Sequence, residues 1–430
     1  MLLSFLAFGV LLVLMFVGVP IAWALTVIGF TGVAILRGLD PALSMVGQIA
    51  FETPMSYDLS VVPLFILMGN LVNQAGLAQQ LYQAAYSFVG HRKGGLAMAT
   101  ILSSGGFSAI SGSSVATAAT MAKVAIPSMR RYGYADGFAA ATVASGGTLG
   151  ILIPPSVVMV VYGILTRTDI GELFVAGILP GLLAIVLYIV AIRYIVWRKP
   201  AVGPVGPRSS WSERWVAIRP VWPVLVLFLL IIGGLYLKVF TATEGAGIGA
   251  FGALLLVLMK RALSLKQFLL ILYETVRLTA VIFAIYIGGM LFANFVNLAG
   301  LTSEFQSWVG YETHSPLVVI FMMVAIYFVL GCFLDSMSMI ILTIPIFFPT
   351  VLLLGFDPVW FGIIVVVAAE LALITPPVGM NIFVISGVFK DISSGSVFRA
   401  ITPFVVVDLA RIFILIMVPA IALSLPWMMR

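Results

Sequence analysis

The sequence predicts an all-α polytopic membrane protein: an inverted-topology repeat with two re-entrant helical hairpins and two broken spans. Three observations predict this fold class, namely the composition, an internal repeat and the placement of basic residues. Of the 430 residues, 62% are hydrophobic and only 9% are charged. A soluble domain has roughly 45–50% apolar and about 25% charged residues. The composition therefore excludes a soluble enzyme and a nucleic-acid-binding protein, and makes membrane lipid an expected partner.

Apolar stretches supply the spanning helices, each of which needs about 20 residues. Candidates lie near 4–19, 21–36, 59–76, 136–165, 172–197, 220–237, 241–259, 275–298, 358–388 and 400–425. Two further stretches, 95–127 and 315–354, are long but interrupted by Gly, Ser and Pro. These two are predicted to be hairpins that enter and leave the membrane on one side.

The chain repeats itself at a nearly constant offset. Residues 70–77 (NLVNQAGL) recur at 294–301 (NFVNLAGL), with six identities in eight positions at an offset of 224. The Pro-Pro pair at 154–155 recurs at 376–377, an offset of 222. Repeats of this kind indicate duplicated structural units.

Basic residues set the orientation, because cytoplasmic loops carry an excess of Lys and Arg. Arg92, Lys93, Arg130 and Arg131 flank the first hairpin, which therefore opens to the cytoplasm. Counting spans onward places both ends of the second hairpin outside. The two halves are thus inverted, and both termini are predicted to be periplasmic.

This count divides the chain into three parts. The first inverted repeat is 1–200, with its hairpin at about 95–127 and its broken span at about 136–165. A cytoplasmic linker follows at 201–219. The second repeat is 220–430, with its hairpin at about 315–354 and its broken span at about 358–388.

Inverted repeats are typical of secondary transporters, which bind substrate and coupling ions at broken helices near the membrane midplane. The first candidate site pairs the hairpin tip Gly105–Thr117 with the broken span Gly146–Ser156. Hydroxyls and carbonyls freed by proline are oxygen ligands, which suit a hard cation such as sodium. Close helix packing by small residues is the alternative.

The second candidate site pairs Gly331–Ser338 with Glu370–Asn381. Asp335 and Glu370 are carboxylates at apparent membrane depth, which makes them functional candidates. A structural role at helix ends stays open, and a proton relay would need a longer chain of titratable groups. Asp408 and Arg411 are three residues apart and could pair on one helix face. No cluster of catalytic residues is evident, so an enzyme is not expected.

The segments Gly105–Met121, Gly146–Tyr162 and Ile374–Phe383 resemble the large membrane subunit of the tripartite ATP-independent periplasmic (TRAP) transporters. The short motifs Gly18–Ile21 and Phe333–Asp335 also match. The resemblance implies an elevator-type importer in the bacterial inner membrane, driven by a sodium gradient and without a cofactor beyond sodium as the coupling ion. It further implies a periplasmic substrate-binding protein, a small four-span membrane subunit on a separate polypeptide, and an organic-anion substrate such as a C4-dicarboxylate or sialic acid.

The resemblance also implies site residues. A first sodium would be held by Ser111, Ser113, Gly150, Ile153 and Pro155, and a second by Gly331, Asp335, Thr375 and Val378. Substrate would lie between them, near Ser114, Thr117, Ser156 and Asn381. The amphipathic stretches Leu77–Val89 and Leu301–Val309 would connect a moving body to a scaffold. The alternative function is a stand-alone sodium or proton symporter for organic anions that needs no binding protein.

Overall fold

The computed structural model describes residues 2–260, 263–311 and 315–429, and every regular element within these ranges is helical. The first half contains α1 Leu2–Phe16, α2 Ile21–Arg37, α3 Leu39–Met55, α4 Val61–Gln74, α5 Leu77–Val89, α6 Gly95–Ser111, α7 Ser114–Arg131, α8 Asp136–Thr148, α9 Val157–Thr166 and α10 Ile170–Arg198. After a connection with one short helix, α11 Trp211–Ile218, the second half contains α12 Trp222–Tyr236, α13 Ala242–Met259, α14 Leu265–Leu298, α15 Leu301–Tyr311, α16 Pro316–Leu330, α17 Ser336–Leu353, α18 Pro358–Ala372, α19 Met380–Val388, α20 Ser394–Met417 and α21 Ala420–Met429.

Five of the described helices are long and apolar enough to cross a membrane, namely α10, α13, α14, α17 and α20. The pair α3 and α4 is bent by 59° at its break, and the pair α11 and α12 by 55°. Counting each bent pair as one span raises the total to seven. The predicted polytopic, all-helical fold class is confirmed.

The helices depart from the predicted apolar stretches at three places. Helix α3 was not predicted, because Asp40, Pro41 and Glu52 interrupt its apolar residues. Helix α14 begins ten residues before the predicted span, at a capping box formed by Ser264 and Gln267. The last predicted span divides into α20 and α21, since proline at position 419 cannot donate the backbone hydrogen bond that a continuous helix requires.

The internal repeat is present in the backbone as well as in the sequence. Shifted by 222 residues, the bounds of α7 coincide with those of α17 at both ends, and the start of α8 coincides with that of α18. Each hairpin's second helix begins after a capping side chain: Ser113 accepts from the amide of Ala116, and Asp335 accepts from the amide of Met337. The two hairpins are therefore built in the same way.

Both broken spans lose helical structure over a short segment. In the first, α8 ends at Thr148 and α9 begins at Val157, with a 3-10 turn at 149–151 between them. In the second, α18 ends at Ala372 and α19 begins at Met380. Both intervening segments contain the Pro-Pro pair, and both Pro-Pro bonds are cis.

The hairpins pack across the repeats. Helix α7 contacts α8 of its own repeat and α19 of the other repeat. Likewise, α17 contacts α18 of its own repeat and α9 of the other. The hairpins and broken spans are therefore interleaved and bring both tips to one place.

Candidate functional site

The tips of the two hairpins line a single cavity of about 450 Å³. Ser113 and Ser114 face it from the first tip, and Asp335 and Ser336 face it from the second. Apolar residues of α14, such as Ile282, and residues of α4 also line it. The tips of both predicted sites thus border the same cavity, and their role in binding stays a prediction.

At the first tip, the hairpin and the broken span approach so closely that glycine is required. A Cβ on Gly150 would lie 2.5 Å from the carbonyl oxygen of Ser113. A Cβ on Gly112, whose φ is +58°, would lie 3.0 Å from the carbonyl oxygen of Pro155. The predicted sodium ligands Ser113, Gly150 and Pro155 are therefore brought together.

Ser111 lies at the same place, whereas Ile153 lies further along the broken span. The Ser111 hydroxyl is 2.6 Å from the Thr117 hydroxyl and donates to the Ser113 carbonyl at 3.4 Å. The Ile153 side chain points away, toward Gly181 of α10. Its backbone remains in the broken span, and the carbonyls of Ile153 and Pro155 accept no hydrogen bond from any described residue.

At the second tip, Gly331 packs against the end of α18, and a Cβ at that position would lie 1.9 Å from the Ala372 Cβ. The Asp335 carboxylate accepts from the amide of Met337 at 3.1 Å and from the Ser338 hydroxyl. Thr375 is buried, and its hydroxyl donates to the carbonyl of Leu371 at 3.1 Å. The tip and the broken span are therefore adjacent here too.

The remaining predicted ligand of the second site is less closely tied to the tip. Val378 is half-buried in the turn before α19. A direct link between this segment and the tip is made next to it, where the Cys332 thiol lies 3.7 Å from the carbonyl oxygen of Pro376 and donates to it. Whether Val378 itself binds sodium stays a prediction.

Of the four residues predicted to bind substrate, Ser114 lines the cavity, whereas Thr117, Ser156 and Asn381 are fully buried behind it. The Asn381 amide donates to the Ser114 hydroxyl at 2.9 Å and to the Ala144 carbonyl at 3.1 Å. Asn381 thus joins α19 of one repeat to α7 and α8 of the other. Its observed contacts support the cavity wall.

Glu370 does not join the second site as the sequence suggested. Its carboxylate lies 2.7 Å from the Arg411 guanidinium, and Arg411 lies 3.1 Å from Asp408. Tyr188 donates to the other oxygen of Asp408 at 2.7 Å. We call Glu370, Asp408, Arg411 and Tyr188 the buried ion cluster. An unpaired charge in an apolar membrane helix raises the free energy of the folded protein. The presence of Glu370, Asp408 and Arg411 in such helices is therefore a sequence signal that these three residues pair with one another.

Sequence reasoning also missed Asn70, which faces the cavity from α4. Its amide donates to the Thr275 hydroxyl at 3.1 Å and so fixes α4 to α14. Asn70 lies in the repeated segment 70–77, which in the sequence indicates only the duplication. Its place at the cavity follows only from the packing of α4 against the hairpin.

The arrangement defines a class of protein. Two hairpins and two interrupted helices enclose one cavity, and the interruption exposes backbone oxygens that in lipid are tolerated only where they line a cavity or are buried in protein. Broken helices around a central site are the architecture of secondary transporters.

Comparison with known proteins identifies the family. Residues 8–421 match the model of the "Tripartite ATP-independent periplasmic transporter, DctM component". The C4-dicarboxylate TRAP transporter large permease protein of Pseudomonas aeruginosa is 39% identical over 377 residues, which cover 87% of this chain and 88% of the relative. The sialic acid TRAP transporter large permease protein of Vibrio cholerae is 32% identical, with 96% of each chain covered. The chain therefore belongs to the DctM family of TRAP transporter large permeases.

A solved structure supports the fold alone. The Alcanivorax borkumensis YdaH transporter, described as having an unusual topology, superposes with a TM-score of 0.65 at 16% sequence identity. The match covers 89% of both chains. The helical transporter architecture is thus shared at low sequence identity.

Proposed function

We propose that this protein is the permease of a sodium-coupled importer for an organic acid. The observation that carries the proposal is the single cavity on which both hairpin tips converge, each tip packed against an interrupted span. In such a site, sodium and substrate share one cavity, so binding of one affects binding of the other.

Sodium is the coupling ion that the first tip suits best. The surrounding groups are hydroxyls of Ser111 and Ser113 and backbone carbonyls of the broken span, among them the unpaired oxygens of Ile153 and Pro155. Unwound carbonyls of this kind coordinate sodium in transporters. At the second tip we assign Gly331, Asp335, Thr375 and Val378 to a second ion.

The substrate is proposed to be an organic acid of the C4-dicarboxylate or sialic-acid type. The amino end of α7 faces the cavity at Ser114, and helix amino ends favour anions. Bound sodium would add positive charge beside it. The relatives named above are described as transporters of different acids, and we propose that the binding protein selects among them.

The working assembly is proposed to include a periplasmic substrate-binding protein and a small membrane subunit. The large permease would lie in the bacterial inner membrane with both termini in the periplasm. A stand-alone symporter for organic anions is the competing function. It differs in requiring neither of these partners.

The proposed motion is an elevator. The interleaving of α7 with α19 and of α17 with α9 supports movement of hairpins and broken spans as one body. Helices α5 and α15 would connect that body to the scaffold. Each follows a glycine in the left-handed region, Gly76 with φ +72° and Gly300 with φ +79°.

Reconstitution in liposomes tests the proposal. Uptake of a radiolabelled C4-dicarboxylate or sialic acid is measured with the small subunit and binding protein present, with either omitted, and with both omitted. We expect uptake only in the full system and only with an inward sodium gradient. Uptake by this chain alone would favour the stand-alone symporter, and uptake indifferent to sodium would overturn the coupling.

A further inference from the structure

An apolar slot of about 230 Å³ lies between the first hairpin and α12, separate from the central cavity. One wall is formed by Val221, which precedes α12, and by Val224, Leu225 and Phe228 on that helix. These positions follow helical spacing and cover about 10 Å of helix length. The other walls come from α5, α6, α10 and the first broken span, including Gly106 and Leu182. The slot has room for several water molecules of about 30 Å³ each, but its walls offer almost no polar partner for them.

The slot opens toward the lipid-facing surface of the protein. Leu182 on α10 is 53% exposed and Leu225 on α12 is 46% exposed, although both line it. Deeper residues such as Val224 are buried. A hydrocarbon chain from the surrounding bilayer could therefore enter from the side.

A cationic, aromatic surface continues from the slot toward the predicted cytoplasmic side. Arg219 lies two residues before Val221 and lines a shallow depression with Trp215 and Trp222. Both tryptophans are largely exposed, as expected where a membrane protein meets the headgroup layer. Arg219 is exposed, and within the described ranges its guanidinium has no hydrogen-bond or ion-pair partner.

Of the two arginines near the slot, Arg214 has partners, whereas Arg219 has none among the described residues. Arg214 on α11 donates to the Ser87 carbonyl at 3.2 Å and lies 4.7 Å from the ring of Trp211. These contacts attach α11 to α5 and help to place Arg219 beside the slot. The linker helix therefore does more than join the two repeats.

We propose that this surface is a binding site for one anionic phospholipid. The phosphate would contact Arg219 between the two tryptophans, and one acyl chain would occupy the slot between α12 and the hairpin. The unpaired arginine favours an anionic headgroup, while the apolar walls and lateral opening favour a hydrocarbon chain. Because the slot touches both the hairpin and α12, the lipid would bridge these two elements.

Native mass spectrometry of the purified full-length chain tests the site. Delipidated protein is titrated with phosphatidylglycerol and, separately, with phosphatidylcholine of the same acyl chains. The wild type should bind one phosphatidylglycerol in preference. Arg219→Gln should weaken that binding about fivefold and remove the preference. Arg208→Gln, in the same linker and also exposed, is the matched control and should bind as the wild type does.

Filling the slot tests the acyl-chain half of the proposal. Val224→Trp should weaken binding of both lipids at least about tenfold. This is the effect expected if the indole displaces two methylene groups of the acyl chain from the slot. Leu225→Trp, at the partly exposed mouth, tests the same point if the buried variant fails to fold. Leu229→Trp, on the same helix and 66% exposed, is the control. Unchanged lipid binding in Arg219→Gln or in the slot variants would overturn the proposal.

The assembled complex supplies a further outcome. If a helix of the small subunit filled the slot, preferential lipid binding would disappear once that subunit was added. This result would overturn the lipid assignment. Preference retained in the complex and lost in Arg219→Gln would support it.

Discussion

Replacing Arg411 by leucine should be among the most destabilising single changes in this protein. Arg411, Glu370 and Asp408 have no solvent exposure, and the guanidinium lies 2.7 Å from one carboxylate and 3.1 Å from the other. The leucine variant would leave two carboxylates buried without their cation. Removing one partner from a buried ion pair costs about 3–5 kcal/mol, which is about a 10²- to 10⁴-fold change in the unfolding equilibrium.

The assay is unfolding of the purified protein in detergent micelles, followed by the loss of helical circular dichroism. Arg399→Leu is the control on the same helix, because Arg399 is exposed and its change should alter stability by less than about 0.5 kcal/mol. The triple variant Glu370→Gln, Asp408→Asn, Arg411→Met should recover most of the stability, since it removes all three buried charges together. Arg411→Leu within about 1 kcal/mol of the wild type would refute the reasoning.

Three further predictions concern the central cavity. Ser113→Ala and Asp335→Asn should each impair the sodium dependence of uptake more than the amount of protein in the membrane, because each removes an oxygen at a tip. Gly150→Ala should abolish uptake, since its Cβ would lie 2.5 Å from the Ser113 carbonyl oxygen. Asn381→Ala should destabilise the protein by about 1–3 kcal/mol in the same unfolding assay, because it leaves buried partners without a hydrogen bond.

Each of these predictions has its own check. Gly233→Ala, where an added Cβ meets nothing within 4 Å, controls for the effect of alanine in a membrane helix and should transport normally. Normal sodium activation in both tip variants would mean that the ion sites lie elsewhere. Wild-type stability of Asn381→Ala would show that its contacts do not hold the two repeats together.

Much of the fold could be predicted because its signals are local in the chain. The Pro-Pro pairs locate both broken spans, because two consecutive residues without an amide donor cannot continue a helix. Single prolines are a weaker signal, since Pro127 and Pro180 lie inside continuous helices. Helix α3 could not be predicted from hydropathy, because its charged residues lower the mean hydropathy of an otherwise apolar segment. Hydropathy alone also placed the start of α14 too late, where the capping box of Ser264 extends the helix.

The site was harder to predict than the fold, because its details depend on contacts distant in sequence. The sequence makes Glu370 a candidate site carboxylate. In the structure its helix packs against α20, and Glu370 pairs with Arg411, which lies 41 residues later in the chain. Asn381 is a further case, since its partner Ser114 is 267 residues away. The packing of helices that are distant in the sequence decides which polar residues face the cavity and which support its wall.

Ser113 and Asp335 lie at equivalent positions of the two repeats but differ in charge. Both residues begin the second helix of a hairpin at equivalent places in the two repeats, yet one is neutral and the other is an acid. A duplicated backbone therefore presents unequal attraction for a cation at its two tips. The equivalent backbone positions of the two repeats therefore give the central cavity one neutral and one acidic side, and a cation in it is attracted more strongly toward Asp335 than toward Ser113.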